Sequence, residues 1–235
     1  MISLRSLLIL FISVAAFGPI QAQPEPDYAV KTNFTCLALD HEIEDLKILS
    51  AGEVCDIDIY TTTRSRRIDY RGPKELTFFR ESATLGPDGQ PVRTPVGRVA
   101  LDGLYSRYLL LFAKRASDAE NYSIYPILDT TDKFKAGSYR FLNLAPFKVA
   151  IKIGESRHLL TEKNITDVNG NFEHGNYYQT IMLTLPEGEE EPVPAYSGRI
   201  YFNKHMRMLY IIRPDGDATS GKIKIIGIPE RMPVQ

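Results

Sequence analysis

The chain has 235 residues, with 28 Lys and Arg against 29 Asp and Glu, a formal net charge of −1, two cysteines and no tryptophan. So balanced a charge gives no electrostatic reason to expect nucleic acid or an anionic membrane surface as partner. The length suits one large β-domain or two of about a hundred residues each.

The first 22 residues read as an export segment. Arg5 supplies a short basic region, Leu7 to Phe17 an apolar run, and "GPIQA" ends on the small residue Ala22 at a plausible cleavage point. The run is shorter than the roughly twenty residues a membrane-spanning helix needs. The expectation is therefore an exported protein, periplasmic or extracellular, and not an integral membrane protein. The rival reading is an uncleaved N-terminal anchor.

Beyond the export segment, short apolar runs and period-2 alternation dominate. Strands are expected at 34–39, 55–60, 75–79, 97–101, 108–112 and 122–127. The series continues at 139–144, 149–153, 180–185, 198–202, 208–212 and 222–228. Turn formers separate them, among them Pro87-Asp88-Gly89, Asn169-Gly170 and Pro214-Asp215-Gly216. Only "DHEIEDLKIL" (40–49) suggests a turn or two of helix. The fold class is all-β, as sandwich or barrel.

The two halves resemble each other at an offset of about a hundred residues. "GRVALDGLYSRYLLLF" from Gly97 lies over "GRIYFNKHMRMLYII" from Gly198, with Arg107 and Arg207 in the links. "NYSIYPILD" (121–129) matches "GKIKIIGIPE" (221–230), and "ELTFFRE" (75–81) can be set against "TIMLTLPE" (180–187). "FTCLALDHEIEDLKI" from Phe34 lies over "YRFLNLAPFKVAIKI" from Tyr139. The order and spacing of four pairs predict a tandem duplication. Two β-sandwich domains of immunoglobulin-like type are expected, at 23–130 and 131–235, joined near "DTTDKFKAG" (129–137). A single sandwich with chance similarity is the alternative.

"YRGPKELTFFRE", "YLLLFAKR", "KAGSYRFLNLAPFKVAIKIGE" and the "GKIKI" ending together resemble a group of exported bacterial all-β proteins of unknown function. The resemblance covers most of the chain after residue 22. It implies an exported all-β protein and supplies no catalytic residue.

Cys36 and Cys55 could form one disulfide in an oxidising compartment, closing a loop of about twenty residues worth roughly 3 kcal/mol. Two free buried thiols are the alternative. Two thiols without a Cys-x-x-Cys make a poor zinc site, and "HEIED" (41–45) lacks the second histidine of a zincin. "DVNGNFE" (167–173) fails the calcium-loop spacing, because Phe172 stands where glycine is obligatory. Asn169-Gly170 is instead a hairpin signal. Asp56 and Asp58 share one strand face, as on any solvated strand. Neither a Gly-x-Ser-x-Gly nucleophile turn nor a glycine-rich phosphate loop occurs, so no catalytic residue, metal ligand or cofactor is assigned.

Arg64, Arg66, Arg67, Arg71 and Lys74 form a basic cluster that could contact a polyanion or a partner protein. Tyr122, Tyr125, Tyr177 and Tyr178 could stack on sugars, though half-buried packing is the commoner role. Three Asn-x-Ser/Thr sequons, at Asn33, Asn121 and Asn164, matter only in a eukaryotic secretory pathway.

These readings favour a non-enzymatic, envelope-associated binding or scaffold module whose partner is an envelope protein or glycan. The alternatives are a hydrolase assembled from dispersed loops, with His158, His174, Asp167 or Glu173, and a subunit of a self-assembling surface structure.

Overall fold

The computed structural model describes residues 29–232, apart from 116, 117, 187, 190, 218 and 219. The expected export segment lies outside the described residues. The first half forms β1 (Val30–Ala38), β2 (Ile43–Ser50), β3 (Glu53–Ile59), β4 (Ile68–Gly72), β5 (Glu75–Leu85), β6 (Pro91–Ala100), β7 (Arg107–Arg115) and β8 (Asp118–Leu128). The second forms β9 (Tyr139–Asn143), β10 (Lys148–Ile153), β11 (Ser156–Leu160), β12 (Ile165–Val168), β13 (Tyr177–Leu185), β14 (Val193–Tyr201), β15 (Met206–Pro214) and β16 (Ile223–Arg231).

These strands make four sheets of four. Sheet I has the order β3-β2-β5-β6, sheet II β4-β1-β7-β8, sheet III β12-β9-β15-β16 and sheet IV β11-β10-β13-β14. Adding eight to each strand number of sheets I and II reproduces sheets IV and III. The register repeats as well. β1 runs parallel to β7 with Phe34 beside Tyr108, and β9 runs parallel to β15 with Tyr139 beside Met208. Phe34 and Tyr139 are therefore equivalent positions. The fold is all-β, with the sheets arranged as two pairs, as in tandem sandwiches.

Alternation along the central strands explains why the pairs stack. On β1 and β7, Phe34, Cys36, Ala38, Tyr108, Leu110 and Phe112 face sheet I and form the first core with Ile48, Ile57 and Phe78. Leu37, Leu39, Leu109 and Leu111 point the other way and meet Leu142, Leu209, Ile211 and Ile228 of sheet III. Tyr139, Phe141 and Ile212 then turn to sheet IV, where Val149, Ile151 and Met182 complete the second core. The middles of sheets II and III are thus covered on both faces, which is why the central strands β1, β7 and β9 read as nearly continuous apolar runs.

The expected turn of helix at 40–49 is strand β2. A β-bulge lies between Ile43 and Leu46, with Asp45 at a φ of 57°. One extra residue puts Ile43, Leu46 and Ile48 all inside, so a bulged strand carries the three-residue spacing that otherwise marks a helix.

The expected disulfide is not formed. Cys36 and Cys55 are free thiols on strands of opposite sheets. Cys36 is fully buried and burial pushes its thiol far up, against a smaller opposing pull from Ser65. A thiol so held is not the thiolate that disulfide exchange requires.

Candidate binding cleft between the sandwiches

Two features mark the junction of sheets II and III. The first is a sealed lattice of charge at the starts of β7 and β15. Arg207 Nη2 lies 2.7 Å from Asp129 Oδ2 and 2.6 Å from Glu230 Oε2, and its Nη1 donates to the Phe134 carbonyl at 2.9 Å. Arg107 Nη2 lies 2.5 Å from Glu230 Oε1, and Arg64 Nη1 lies 2.7 Å from Asp129 Oδ2. Three guanidinium groups thus share two carboxylates.

Burial pulls Arg207 below its ordinary value, against the opposing pull of Asp129 and Glu230. Burial alone would raise Glu230, but Arg64, Arg207 and Arg107 outweigh it and hold the carboxyl below its usual range. Beside the lattice, the Arg140 and Arg207 guanidinium groups both lie over the Phe134 ring, 4.4 and 4.6 Å from its centroid. These two cation–π contacts anchor the link between the halves. Arg140 also pairs bidentately with Asp167, at 2.6 and 2.8 Å, and donates to the Leu128 carbonyl across the junction.

The second feature is a cleft of about 550 Å³ where sheets II and III part, between the edge strands β8 and β12. Its apolar walls come from Leu39, Leu111, Ala113 and Ile127 on one side and Leu142, Leu144 and Ile165 on the other. Tyr125 and Ile165 stand at the mouth, 55 % and 38 % exposed. The charged rim consists of Asp40, Lys163 and Arg213. Arg213 is occupied: it pairs with Asp40 at 2.7 Å and donates to the Leu39 carbonyl. A volume of this size falls within the roughly 300–1,000 Å³ of small-molecule sites.

The sequence-predicted residues are distributed differently. Of the basic cluster, Arg64 is turned into the buried lattice and is lost to any external polyanion. Arg66 donates to the Asp56 carbonyl at 2.7 Å, while Arg67, Arg71 and Lys74 lie on the surface. Asp56 pairs with Lys47 on the outer face of sheet I.

Of the four tyrosines, Tyr125 lines the cleft. Tyr122 is buried against Phe112, Tyr178 rests on Phe172, and Tyr177 lies beside Tyr201. Among the described residues, none of His158, His174, Asp167 and Glu173 bonds another of the four. Asp167 is committed to Arg140, Glu173 holds Asn176, and His174 accepts from the Lys204 amide. Nor do any three His, Cys, Asp or Glu side chains among the described residues stand where they could hold a metal. No described helix is long and apolar enough to cross a membrane.

Fold and cleft together define an all-β protein of two stacked sandwiches with a ligand-sized opening at their junction. No protein-family model matches the chain, and no curated protein matches it.

Proposed function

We propose that the protein is an exported, non-enzymatic binding module, made by tandem duplication of one eight-stranded sandwich, and that its ligand occupies the cleft between the sandwiches. The observation that carries this reading is the cleft itself, an apolar opening at a junction otherwise closed by the Arg64/Arg107/Arg207 lattice. Pockets of this kind occur preferentially where domains meet. The repeated strand order and the equivalence of Phe34 with Tyr139 support the duplication. Apolar walls favour an apolar ligand over a glycan, which would require more convergent polar groups than Asp40, Lys163 and Arg213 provide.

The test is fluorescence titration with the neutral apolar probe N-phenyl-1-naphthylamine, on the wild type and on Ala113→Phe. Saturable binding abolished by Ala113→Phe is expected. Binding that is absent, or insensitive to that substitution, overturns the assignment.

A further inference from the structure

We infer that the ligand of this cleft is a single-chain anionic amphiphile of the fatty-acid class, with its carboxylate on Lys163 and its chain between Leu39, Leu111, Leu142 and Leu144; the inference rests on the cleft being the binding site. The charge at the mouth gives the sign. Asp40 and Arg213 neutralise each other, which leaves the Lys163 ammonium as the net charge of the rim. Lys163 has no ion pair among the described residues. A cation beside an apolar slot suits a molecule that carries one negative head on an apolar body.

The backbone fixes where Lys163 stands. Lys163 has a φ of 50°, one of three non-glycine residues in left-handed geometry among the described residues. The other two, Asp45 and Ala51, belong to a bulge and a hairpin turn of sheet I. Such geometry is unfavourable for a residue with a side chain and persists where the surroundings fix it. Here the turn is closed by Asn164 Nδ2, which donates to Thr161 Oγ1 at 2.9 Å. The turn places Lys163 at the cleft rim, two residues before the wall residue Ile165.

The edges decide against a peptide occupant. An extended peptide would have to pair with β8 or β12, the edge strands beside the cleft. Pro126 interrupts the β8 edge because it has no N–H to donate, and β12 has only four residues. An acyl chain needs no backbone partner and meets only the aliphatic walls.

The experiment measures displacement of N-phenyl-1-naphthylamine by dodecanoate and by dodecanol. Wild type is expected to bind dodecanoate about fivefold or more tighter than dodecanol. Lys163→Gln should bring the two within about twofold and leave dodecanol unchanged. Ile165→Glu, at the partly exposed mouth, should weaken dodecanoate more than dodecanol. Equal affinities on the wild type, or a preference that survives Lys163→Gln, overturn the anionic assignment while leaving an apolar cleft in place. Failure of the neutral probe itself to bind overturns both readings.

Discussion

Arg207 Nη2 lies 2.7 Å from Asp129 Oδ2, with 0 % and 1 % of the two side chains exposed. The pair crosses the junction, and its counterpart crosses in the opposite sense, from Arg107 to Glu230. The ladders make these equivalent positions. Arg207 sits opposite Glu230 on β15 and β16, and Asp129 follows Leu128, which sits opposite Tyr108 on β7 and β8. The halves therefore meet as the subunits of a twofold dimer do, each presenting the same patch to the other. Arg64 breaks the symmetry, as do the bonds from Arg207 to the Asp129 and Phe134 carbonyls, which Arg107 does not match among the described residues.

Removing one carboxylate from this lattice leaves buried guanidinium charge without compensation. Asp129→Asn is isosteric, so the loss comes from charge and not from packing. It should cost about 3–5 kcal/mol, the range for one partner lost from a buried pair. Asp56→Asn, at an exposed ion pair with Lys47, should cost under about 1 kcal/mol. Urea denaturation of the two variants at neutral pH checks the contrast. A cost for Asp129→Asn as small as that for Asp56→Asn would show that the lattice does not hold the halves.

The same lattice sets the acid limit. Glu230 has a folded-state pKa below its ordinary value, so near pH 4 the unfolded chain binds more protons than the folded one. Its contribution to stability is complete above the unfolded pKa of about 4.3 and is lost as pH falls through the folded value. Asp40 shifts in the same direction through Lys114 and Arg213, although its own burial opposes this. Glu230→Gln should therefore flatten, without abolishing, the fall in stability between pH 6 and pH 3. Denaturation midpoints across that range are the measurement, and an unchanged slope would remove Glu230 from the acid response.

Much of this architecture could be read from the chain. The strand runs expected from period-2 alternation coincide with strands from β1 to β16, and pairing Gly97 with Gly198 places them in equivalent registers beside β5 and β13. "ELTFFRE" and "TIMLTLPE" match only after sliding: Gly97 sits opposite Phe78 and Gly198 opposite Thr180, so Thr180 corresponds to Phe78 and not to Glu75. β4, β11 and β12 escape pattern reading because each is short and lies at a sheet edge with few buried apolar residues, whereas the equally short β9 is buried throughout. β2 escapes because its bulge imitates helical spacing. The cleft was not legible at all. Leu39, Leu111, Leu144 and Ile165 each look like core residues, and only the parting of two sheets turns them into the walls of an opening. Arg64 reads as a surface charge because the carboxylates it pairs with lie 65 residues or more away along the chain.

The thiols offer a direct check on the first core. Cys36 is fully buried with its thiol held neutral, whereas Cys55 is half-buried at the edge strand β3. A small maleimide should label Cys55 in the folded protein and reach Cys36 only after unfolding. Stability should be the same with and without reductant, because no bridge is present. Quantitative protection of both thiols in the native protein, relieved by reductant, would mean that the two are joined after all.

The paired glycines separate the two halves energetically. A Cβ at Gly97 would lie 2.7 Å from Ile124 Cδ1 and 3.3 Å from the Tyr122 carbonyl, inside the first core. A Cβ at Gly198 would meet the outer end of the Tyr196 side chain instead, and Tyr196 is 36 % exposed. Gly97→Ala therefore forces a buried side chain off its position and should cost about 1–3 kcal/mol. Gly198→Ala meets only a movable neighbour and reduces the freedom of the unfolded chain, a gain of about 0.4–1 kcal/mol that offsets the displaced tyrosine. Near-neutrality at Gly198 and clear destabilisation at Gly97 are the expected results of thermal denaturation. Equal costs would mean that sheet IV holds Tyr196 as rigidly as the first core holds Ile124.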